Sequence, residues 1–223
     1  MIPYTIMKIF LDSSNIEEIR PINKTGLIDG ITTNPSLLAK QKGNFKEILK
    51  SIASEVKGPI SAEVTAVKAE KMITEAKILQ KIAKNIVIKI PLTMEGLIAC
   101  NYLSKNKFKV NVTLCFSTNQ ALLAAKAGAT FISPFIGRLD DIGENGLQLI
   151  RDIKTVYNNY NYTTKILAAS IRSVEHVMEV SKIGANVATI PPKIFHNLYK
   201  HELTDQGLES FLSDWKKSGK QIN

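Results

Sequence analysis

The stretch Ile86-Val87-Ile88-Lys89-Ile90-Pro91 places one ionisable side chain inside an otherwise apolar, β-branched run. Such a run is typical of a strand buried on both faces in a parallel sheet, where a charged residue is costly. Lys89 therefore needs an explanation. It could be a lysine near a strand end whose amino group reaches water, or one half of a buried ion pair. It could also be a reactive amine, because burial penalises the ammonium form and favours a neutral amine that can attack a carbonyl.

Length and composition indicate one globular domain over residues 1–223. The chain is 44% hydrophobic and 22% charged, which suits a single core and a small α/β barrel. No apolar run reaches the roughly 18 residues of a membrane span. The N-terminus lacks a basic region followed by a long apolar core, so no secretory signal is predicted. Residues 1–6 could be an extension, with Met1 or Met7 as the start. We expect a cytoplasmic protein with no membrane partner.

Cysteine content and charge argue against other classes of protein. Cys100 and Cys115 are too few for a disulfide framework and lack metal-ligand spacing, so we expect core residues and no metal site. The formal charge of +9 could favour nucleic acid, an anionic membrane or small phosphorylated substrates. The lysines, however, are spread along the whole chain without an arginine-rich tract or a nucleic-acid motif. Most are therefore expected on solvated helix faces, and no nucleic-acid partner is predicted.

Short β-branched runs alternate with amphipathic stretches eight times. The predicted strands are Lys8–Asp12, Gly30–Thr33, Ile60–Val64, Ile86–Ile90, Lys109–Leu114, Thr130–Phe135, Lys165–Ala169 and Asn186–Ile190. Helical patterns follow, such as Ser13–Asn23, Ala66–Ala83, Thr93–Lys105, Ser117–Ala127 and Arg172–Ile183. Eight such units predict a parallel sheet that closes into a single (β/α)8 TIM barrel. A doubly wound open sheet is the alternative, although no G-x-G-x-x-G turn follows the first strand.

The end of the chain adds one more amphipathic helix, predicted over Thr204–Lys220. Its apolar face comprises Leu208, Phe211, Leu212 and Trp215. Because eight helices are already assigned to the barrel, this face must cover the barrel or dock on a neighbouring subunit.

In a barrel of this type the active site lies at the C-terminal ends of the strands and in the loops that follow them. The residues at these positions that could contact a substrate are Asp12, Thr32, Asn34, Glu63, Lys89, Asn111, Thr113, Ser133, Phe135, Ser170 and Arg172. Residues two apart on one strand face the same side. If that side is inward, two carboxylates, one lysine, two amides and several hydroxyls converge on one cavity.

Most of these residues have a structural explanation when taken singly. Asp12, Asn34 and Ser170 could each cap the helix that follows. Glu63 is harder to explain, because an unpaired carboxylate within the strand Ser61-Ala62-Glu63-Val64 would be costly. Polar residues near the ends of six consecutive strands favour a shared functional site over separate structural roles.

Two arginines suggest an anion site at one end of this cavity. Arg138 follows the sixth strand and Arg172 follows the seventh, at the predicted start of a helix. Together with Ser170 they could form a fork that accepts phosphate oxygens. Alternatively each arginine forms a surface ion pair, for example Arg138 with Asp140 or Asp141.

Six segments of the chain resemble the transaldolase family, in particular its short members close to fructose-6-phosphate aldolase. The segments are Phe10-Leu11-Asp12-Ser13, Gly30-Ile31-Thr32-Thr33-Asn34-Pro35-Ser36, Ile88-Lys89-Ile90-Pro91 with Glu95-Gly96, Asn111-Val112-Thr113-Leu114, Ser133-Pro134-Phe135-Ile136-Gly137-Arg138 and Leu167-Ala168-Ala169-Ser170-Ile171-Arg172. They occur in order over nearly the whole chain, and the Thr-Thr-Asn-Pro-Ser and Lys-Ile-Pro segments together are highly specific.

The resemblance implies a class I mechanism that needs no metal and no cofactor. A dihydroxyacetone unit would pass from sedoheptulose 7-phosphate or fructose 6-phosphate to glyceraldehyde 3-phosphate or erythrose 4-phosphate, in the non-oxidative pentose phosphate pathway. Lys89 would form a Schiff base at the C2 carbonyl, and Glu63 would shuttle protons through a water near Thr113. Asp12 would take the proton of the C4 hydroxyl. The matched residues that would bind substrate hydroxyls or phosphate are Thr32, Asn34, Asn111, Ser133, Phe135, Arg138, Ser170 and Arg172.

Two positions separate transferase from aldolase in proteins that resemble this chain. Fructose-6-phosphate aldolases carry glutamine where Glu63 stands and tyrosine where Phe135 stands, an arrangement that favours hydrolytic release of dihydroxyacetone. At both positions this chain carries the residue type that is expected of a transaldolase. Transaldolase is therefore predicted, with fructose-6-phosphate aldolase as the alternative.

Two further implications concern partners. A catalytically idle barrel that binds phosphorylated sugars, or a structural assembly subunit, would keep Arg138 and Arg172 but would have no use for Lys89 beside two carboxylates. The resemblance also implies a homo-oligomer, a pentamer or a decamer of two five-membered rings, in which the C-terminal helix reaches a neighbour.

Overall fold

Eight parallel strands close into one barrel in chain order, so that the first strand pairs with both the second and the eighth. The computed structural model describes residues 6–222. Its strands are β1 Lys8–Asp12, β2 Gly30–Thr32, β3 Ile60–Glu63, β4 Ile86–Pro91, β5 Val110–Cys115, β6 Phe131–Pro134, β7 Lys165–Ala168 and β8 Val187–Ile190. Every predicted strand is present, with its bounds changed by at most one residue. The closed sheet confirms the TIM barrel and excludes the doubly wound open sheet.

Helices follow every strand, and most of them cover the outside of the barrel. They are α1 Ile16–Asn23, α2 Pro35–Leu38, α3 Phe45–Glu55, α4 Ala69–Gln80, α5 Met94–Lys105, α6 Thr118–Lys126, α7 Ile136–Asp140, α8 Gly146–Asn159, α9 Val174–Ile183, α10 Pro192–Asn197 and α11 Glu202–Ser218. The short helices α2 and α7 lie in the segments after β2 and β6. Helix α10 completes the eighth strand–helix unit, and α11 is the additional helix predicted at the end of the chain.

Side-chain caps fix where several helices begin, and they decide three of the alternatives above. Asn34 Oδ1 accepts a hydrogen bond from a backbone N–H in the first turn of α2, so Asn34 does cap that helix. The cap considered for Asp12 is wrong, because Asn15 caps α1. The cap considered for Ser170 is also wrong, because Ser173 caps α9, which begins two residues after the predicted start at Arg172. Asp12 and Ser170 therefore need another explanation.

The inside of the barrel has an apolar floor below a polar layer. The floor consists of Phe10, Val87, Phe131, Leu167 and Val187, and Ala169 packs against it from the C-terminal side. The rings of Phe10 and Phe131 meet edge to face with 6.1 Å between their centroids. On β2 a Cβ at Gly30 would lie 2.8 Å from the Phe10 ring, so glycine is needed to leave room for it. Side chains two positions further along these strands face the same interior nearer the C-terminal ends.

The space between sheet and helices forms the larger apolar core, and both cysteines belong to it. Cys100 on α5 and Cys115 on β5 are buried free thiols, which confirms that they are core residues. Burial raises the pKa of each thiol to about 12. Both are therefore protonated near neutral pH.

Helix α11 stands apart from the barrel, because it has no buried residue. Its exposed apolar side chains are Leu203, Leu208, Phe211, Leu212 and Trp215. Covering the barrel, one of its two expected roles, is therefore wrong. None of the helices within residues 6–222 combines the length and the apolar character that crossing a membrane requires. Apart from the exposed Ile6, the N-terminal extension considered above lies outside the described residues.

Candidate active site

Lys89 lies on β4 between two polar residues of the neighbouring strands. Parallel pairing places it beside Glu63 of β3 and Asn111 of β5. Its Nζ is 3.1 Å from Glu63 Oε2 and donates a hydrogen bond of 3.0 Å to the carbonyl oxygen of Thr33. The Lys89 side chain is 7% exposed and that of Glu63 13%. The buried ion pair considered from the sequence is thus present, and it holds a carboxylate within proton-transfer distance of the amine.

Asp12 on β1 is held by a threonine of the next strand. Thr32 Oγ1 donates a hydrogen bond of 2.7 Å to Asp12 Oδ1. Thr32 Oγ1 also lies 2.6 Å from Thr189 Oγ1 on β8. Burial raises the pKa of Asp12, while the hydrogen bond from Thr32 and the positive charge of Lys89 partly offset this rise. Opposed influences of this kind suit a carboxyl group that takes up and releases a proton.

Asn111 makes its contacts inside the barrel wall. Its Nδ2 donates to Ser61 Oγ at 3.1 Å, and its Oδ1 accepts from Ser133 Oγ at 2.7 Å. Asn111 is fully buried and lines neither of the cavities described next. Its contacts orient the Ser133 hydroxyl, which does line the first of these cavities.

Two adjoining cavities at the C-terminal end of the barrel meet at Lys89. The first has a volume of about 270 Å³ and is lined by Asp12, Thr32, Asn34, Lys89, Thr113, Ser133, Phe135, Arg138, Leu167, Ala169, Ser170, Arg172 and Thr189. The second has a volume of about 340 Å³ and is lined by Asn34, Pro35, Ser36, Leu37, Glu63, Lys89, Thr113, Leu114, Phe135 and Arg138. Lys89 can therefore be reached from the side of Asp12 and from the side of Glu63.

Thr113 faces both cavities with an unused hydrogen-bonding group. Its Oγ1 is buried, and within residues 6–222 it has no hydrogen-bond partner. A buried hydroxyl in this state usually meets a water molecule or a bound ligand. Thr113 is thus placed to contact an oxygen atom near Lys89.

The rim of the first cavity carries the two arginines in different surroundings. Both terminal nitrogens of the Arg172 guanidinium donate to the Asp141 carboxylate, and this hydrogen bonding lowers the pKa of Asp141. Of the surface ion pairs considered for the two arginines, the one at Arg172 is therefore present, and within residues 6–222 Arg138 forms none. Arg172 passes over Gly137, where a Cβ would lie 2.5 Å from its Nε. Arg138 lies over the Phe135 ring, with 5.4 Å from its Cζ to the ring centroid.

The backbone adopts an unusual conformation at two points beside the cavities. Leu114 has φ of +60° and Ser170 has φ of +56°, values that residues other than glycine rarely adopt. The pairing of β5 with β6 also shifts register between Val112 and Cys115. Such conformations cost free energy and concentrate at functional sites, and both residues line one of the two cavities here.

All of the predicted site residues except Asn111 line one of the two cavities, and the structure adds other residues to the site. Thr189 lies two residues after Val187 on β8, so the rule applied to the other strands would have found it. Asp141 and Ser61 carry no such signal, because their roles depend on contacts between residues distant in the chain.

The chain matches known sequences over nearly its whole length. The sequence profile of the family described as "Transaldolase/Fructose-6-phosphate aldolase" matches residues 9–222. A protein of Chelativorans sp. (strain BNC1) named "Probable transaldolase" is 59% identical over 216 residues, covering 97% of this chain and 100% of its own length. Proteins of the same name from Bartonella tribocorum and Brucella anthropi are 59% and 58% identical over the same shares.

A solved structure supports the fold alone. A candidate isomerase from Sinorhizobium meliloti, in an open loop conformation, superposes with a TM-score of 0.62 over 86% of this chain at 9% sequence identity. This chain spans about half, 53%, of that longer protein. At such low identity the likeness extends to the barrel architecture only.

Proposed function

This chain belongs to the transaldolase/fructose-6-phosphate aldolase family and is an aldolase-type enzyme, and from that premise we propose that it is a transaldolase acting through a Schiff base on Lys89. The observation that carries the proposal is the position of Lys89 Nζ. It is buried, 3.1 Å from the Glu63 carboxylate, in a cavity shared with Asp12. The proposed substrates are phosphorylated sugars that exchange a dihydroxyacetone unit, the chemistry of the non-oxidative pentose phosphate pathway.

Formation of the Schiff base assigns a role to Glu63. The amine of Lys89 must lose a proton before it can attack the C2 carbonyl of the ketose, and Glu63 is the nearest carboxylate. The carbinolamine that forms must then lose its hydroxyl as water, which needs a proton donor. Glu63 can return the proton through a water held by the Thr113 hydroxyl.

Cleavage of the carbon chain assigns a role to Asp12. As the Asp12 carboxylate takes the proton of the C4 hydroxyl, the C3–C4 bond breaks and its electron pair moves into the protonated imine. An aldose phosphate leaves, and an enamine of dihydroxyacetone stays on Lys89. The same steps in reverse, with a second aldose phosphate as acceptor, return the proton from Asp12 and release the product ketose.

Substrate binding would use the remaining polar groups of the first cavity. The Asn34 side-chain oxygen is occupied as the cap of α2, so its amide N–H groups are the part that can donate to a sugar hydroxyl. The Ser133 hydroxyl donates its only proton to Asn111 Oδ1, so it can accept a hydrogen bond from a sugar hydroxyl. At the rim, Ser170 with Arg138 and Arg172 would hold the phosphate, with Arg172 oriented in advance by Asp141.

The choice of transferase over aldolase rests on Glu63 and Phe135. Phe135 packs edge to face on Phe116, with 5.7 Å between ring centroids, and presents no hydroxyl to the cavity. Aldolases that resemble this chain carry glutamine at the position of Glu63 and tyrosine at the position of Phe135. Without a phenol to orient water, the enamine should persist until an aldehyde acceptor arrives.

The test is the formation of glyceraldehyde 3-phosphate from fructose 6-phosphate, with and without erythrose 4-phosphate. Product that requires the acceptor supports a transaldolase, whereas equal product without it would make the protein an aldolase. Borohydride added with fructose 6-phosphate should leave a covalent three-carbon adduct on Lys89. No turnover and no adduct would favour a barrel that only binds phosphorylated sugars.

The exposed apolar face of α11 supports a second part of the proposal, a homo-oligomer in which α11 docks on another copy of the chain. Phe211 is 75% exposed and Trp215 44%, which is unfavourable in water unless another surface covers them. Light scattering should give a mass well above the 24.7 kDa of one chain. Phe211→Glu should lower this mass, whereas Tyr160→Glu, at another exposed aromatic residue, should leave it unchanged.

A further inference from the structure

We propose that Thr189 is a positioning residue, which holds Thr32 as a hydrogen-bond donor to Asp12 and thereby sets the pH range in which Asp12 accepts a proton. The inference rests on the proposed role of Asp12. Thr189 and Thr32 are 5% and 3% exposed, and together with Asp12 they lie on the three adjacent strands β8, β2 and β1.

The number of available protons determines which hydroxyl donates in each of these hydrogen bonds. A threonine hydroxyl has one proton to donate, and an ionised carboxylate can only accept. Thr32 Oγ1 lies 2.7 Å from Asp12 Oδ1 and 2.6 Å from Thr189 Oγ1. The Thr32 proton must point to Asp12, so the proton between the two threonines must come from Thr189. The first distance is typical of an O–H···O hydrogen bond, and the second lies towards the short end of the range.

The same chain of hydroxyls can serve the protonated acid. After Asp12 has taken a proton, its O–H can donate to Thr32, and Thr32 can donate to Thr189, without movement of any heavy atom. The Thr189 proton then turns towards the cavity that Thr189 lines. A carboxyl group that must gain and lose a proton in each reaction cycle keeps a hydrogen bond in both states.

Other charged groups around Asp12 do not replace the hydrogen bonds from Thr189 to Thr32 and from Thr32 to Asp12. Lys89 on β4 attracts the carboxylate from across the cavity, and Glu63 on β3 is paired with Lys89. Arg138 and Arg172 line the same cavity at its rim, where Arg172 is bound to Asp141. The Thr32 hydroxyl is the only donor to the Asp12 side chain within the described residues, and Thr189 alone orients that hydroxyl there.

Loss of the Thr189 hydroxyl has a predictable sign, because the hydrogen bond to the ionised carboxylate is stronger than the one from the neutral acid. A hydrogen bond donated to Thr32 polarises its O–H and strengthens the bond to the carboxylate. Without it, the ionised form of Asp12 is stabilised less and the proton is bound more tightly. Because the proposed reaction needs ionised Asp12, the acid limb of the pH profile must move to higher pH.

The experiment compares Thr189→Val with Thr189→Ser and with a control at another buried threonine. Thr164 Oγ1 donates to the carbonyl oxygen of Ala129 at 2.7 Å, near the opposite end of the barrel. We expect Thr189→Val to move the acid limb of kcat/KM upwards by about 0.3–1 pH unit. Thr189→Ser should restore the profile, and Thr164→Val should not move it. A raised KM with an unchanged profile would make Thr189 a substrate contact and overturn the proposal.

A second readout does not depend on activity. The difference in melting temperature between the protein and its Asp12→Asn variant, followed over pH, reports how tightly Asp12 holds its proton. The pH window in which this difference changes should extend to higher pH in the Thr189→Val background. An unchanged window would overturn the inference even if transaldolase activity is found. A shifted window would support it even if that activity is absent.

Discussion

The two ends of the barrel each hold a cavity of about 270 Å³, but they differ in what surrounds it. The cavity at the N-terminal end, on the other side of the apolar floor, is lined by exposed Lys8, Lys109 and Lys165, and within residues 6–222 none of these lysines forms an ion pair. At the C-terminal end the lysine is buried and paired. Neither a concave shape nor positive charge therefore marks the site. Costly buried polar groups with fixed partners do.

The largest expected effect separates the lysines of the two ends. Lys89→Met should lower turnover at least about 10³-fold, because no Schiff base can form. Lys109→Met should change turnover less than about twofold, since a solvated lysine contributes little. Initial rates of glyceraldehyde 3-phosphate formation measure both.

The fold of the Lys89 variant needs its own control, because Glu63 loses its partner. Lys89→Arg keeps a positive charge beside Glu63 and still cannot form a Schiff base, so it should be equally inactive. Circular dichroism should show the secondary structure of the unchanged protein in both variants. Turnover that survives in either variant would remove the Schiff-base assignment.

The next effect concerns stability and belongs to the floor. Phe131→Ala removes a ring that packs on Phe10, and should lower the free energy of unfolding by about 3–5 kcal/mol. Urea unfolding measures this loss. Phe45→Ala, at a phenylalanine that is 38% exposed, should cost much less. Covalent trapping on Lys89 should persist in folded Phe131→Ala protein. Its loss would mean that the reactivity of Lys89 in the polar layer depends on the packing of the floor.

The sequence predicted the residues of the polar layer better than the residues that hold them in place, for a physical reason. Residues two apart share one face of a strand, and the eightfold repeat places the C-terminal ends of all strands at one end of a barrel, so Lys89 and Glu63 could be singled out without coordinates. The partners of Arg172 and Asn111 could not, because loop conformation and strand register decide them. Arg172 pairs with Asp141, thirty-one residues earlier in the chain, and that pairing needs the space that Gly137 leaves.

A smaller effect changes the product. Glu63→Gln with Phe135→Tyr keeps the shape of the C-terminal cavity but adds a hydroxyl that can orient water. The share of free dihydroxyacetone should rise about tenfold, which corresponds to roughly 1.4 kcal/mol between transfer and release. Product ratios in the presence of erythrose 4-phosphate measure it. Phe116→Tyr, on the neighbouring ring, is the control for a general effect of added polarity, and an unchanged ratio in the double variant would contradict the assignment of these two positions.

The smallest effect should show that the reactive end of the barrel carries a cost in stability that the other end does not. Burial raises the pKa of Asp12 in the folded protein, so the folded state holds this proton more tightly than the unfolded chain does. Stability must then fall as pH rises from the ordinary aspartate range through the raised value, and the full cost is present above it. Asp12→Asn removes the charge while its amide oxygen can still accept from Thr32. Although it should be inactive, this variant should be more stable than the parent near neutral pH, by about 1 kcal/mol. The gain in stability should vanish as pH falls below the ordinary aspartate range.

Asp29→Asn is the matched control. Asp29 accepts a hydrogen bond of 2.9 Å from the backbone of Ile9 in an exposed position, so its replacement should give no gain in stability at any pH. Thermal unfolding of both variants across pH tests the contrast, and an equal gain at Asp29, or none at Asp12, would show that the cost is not specific to the reactive end.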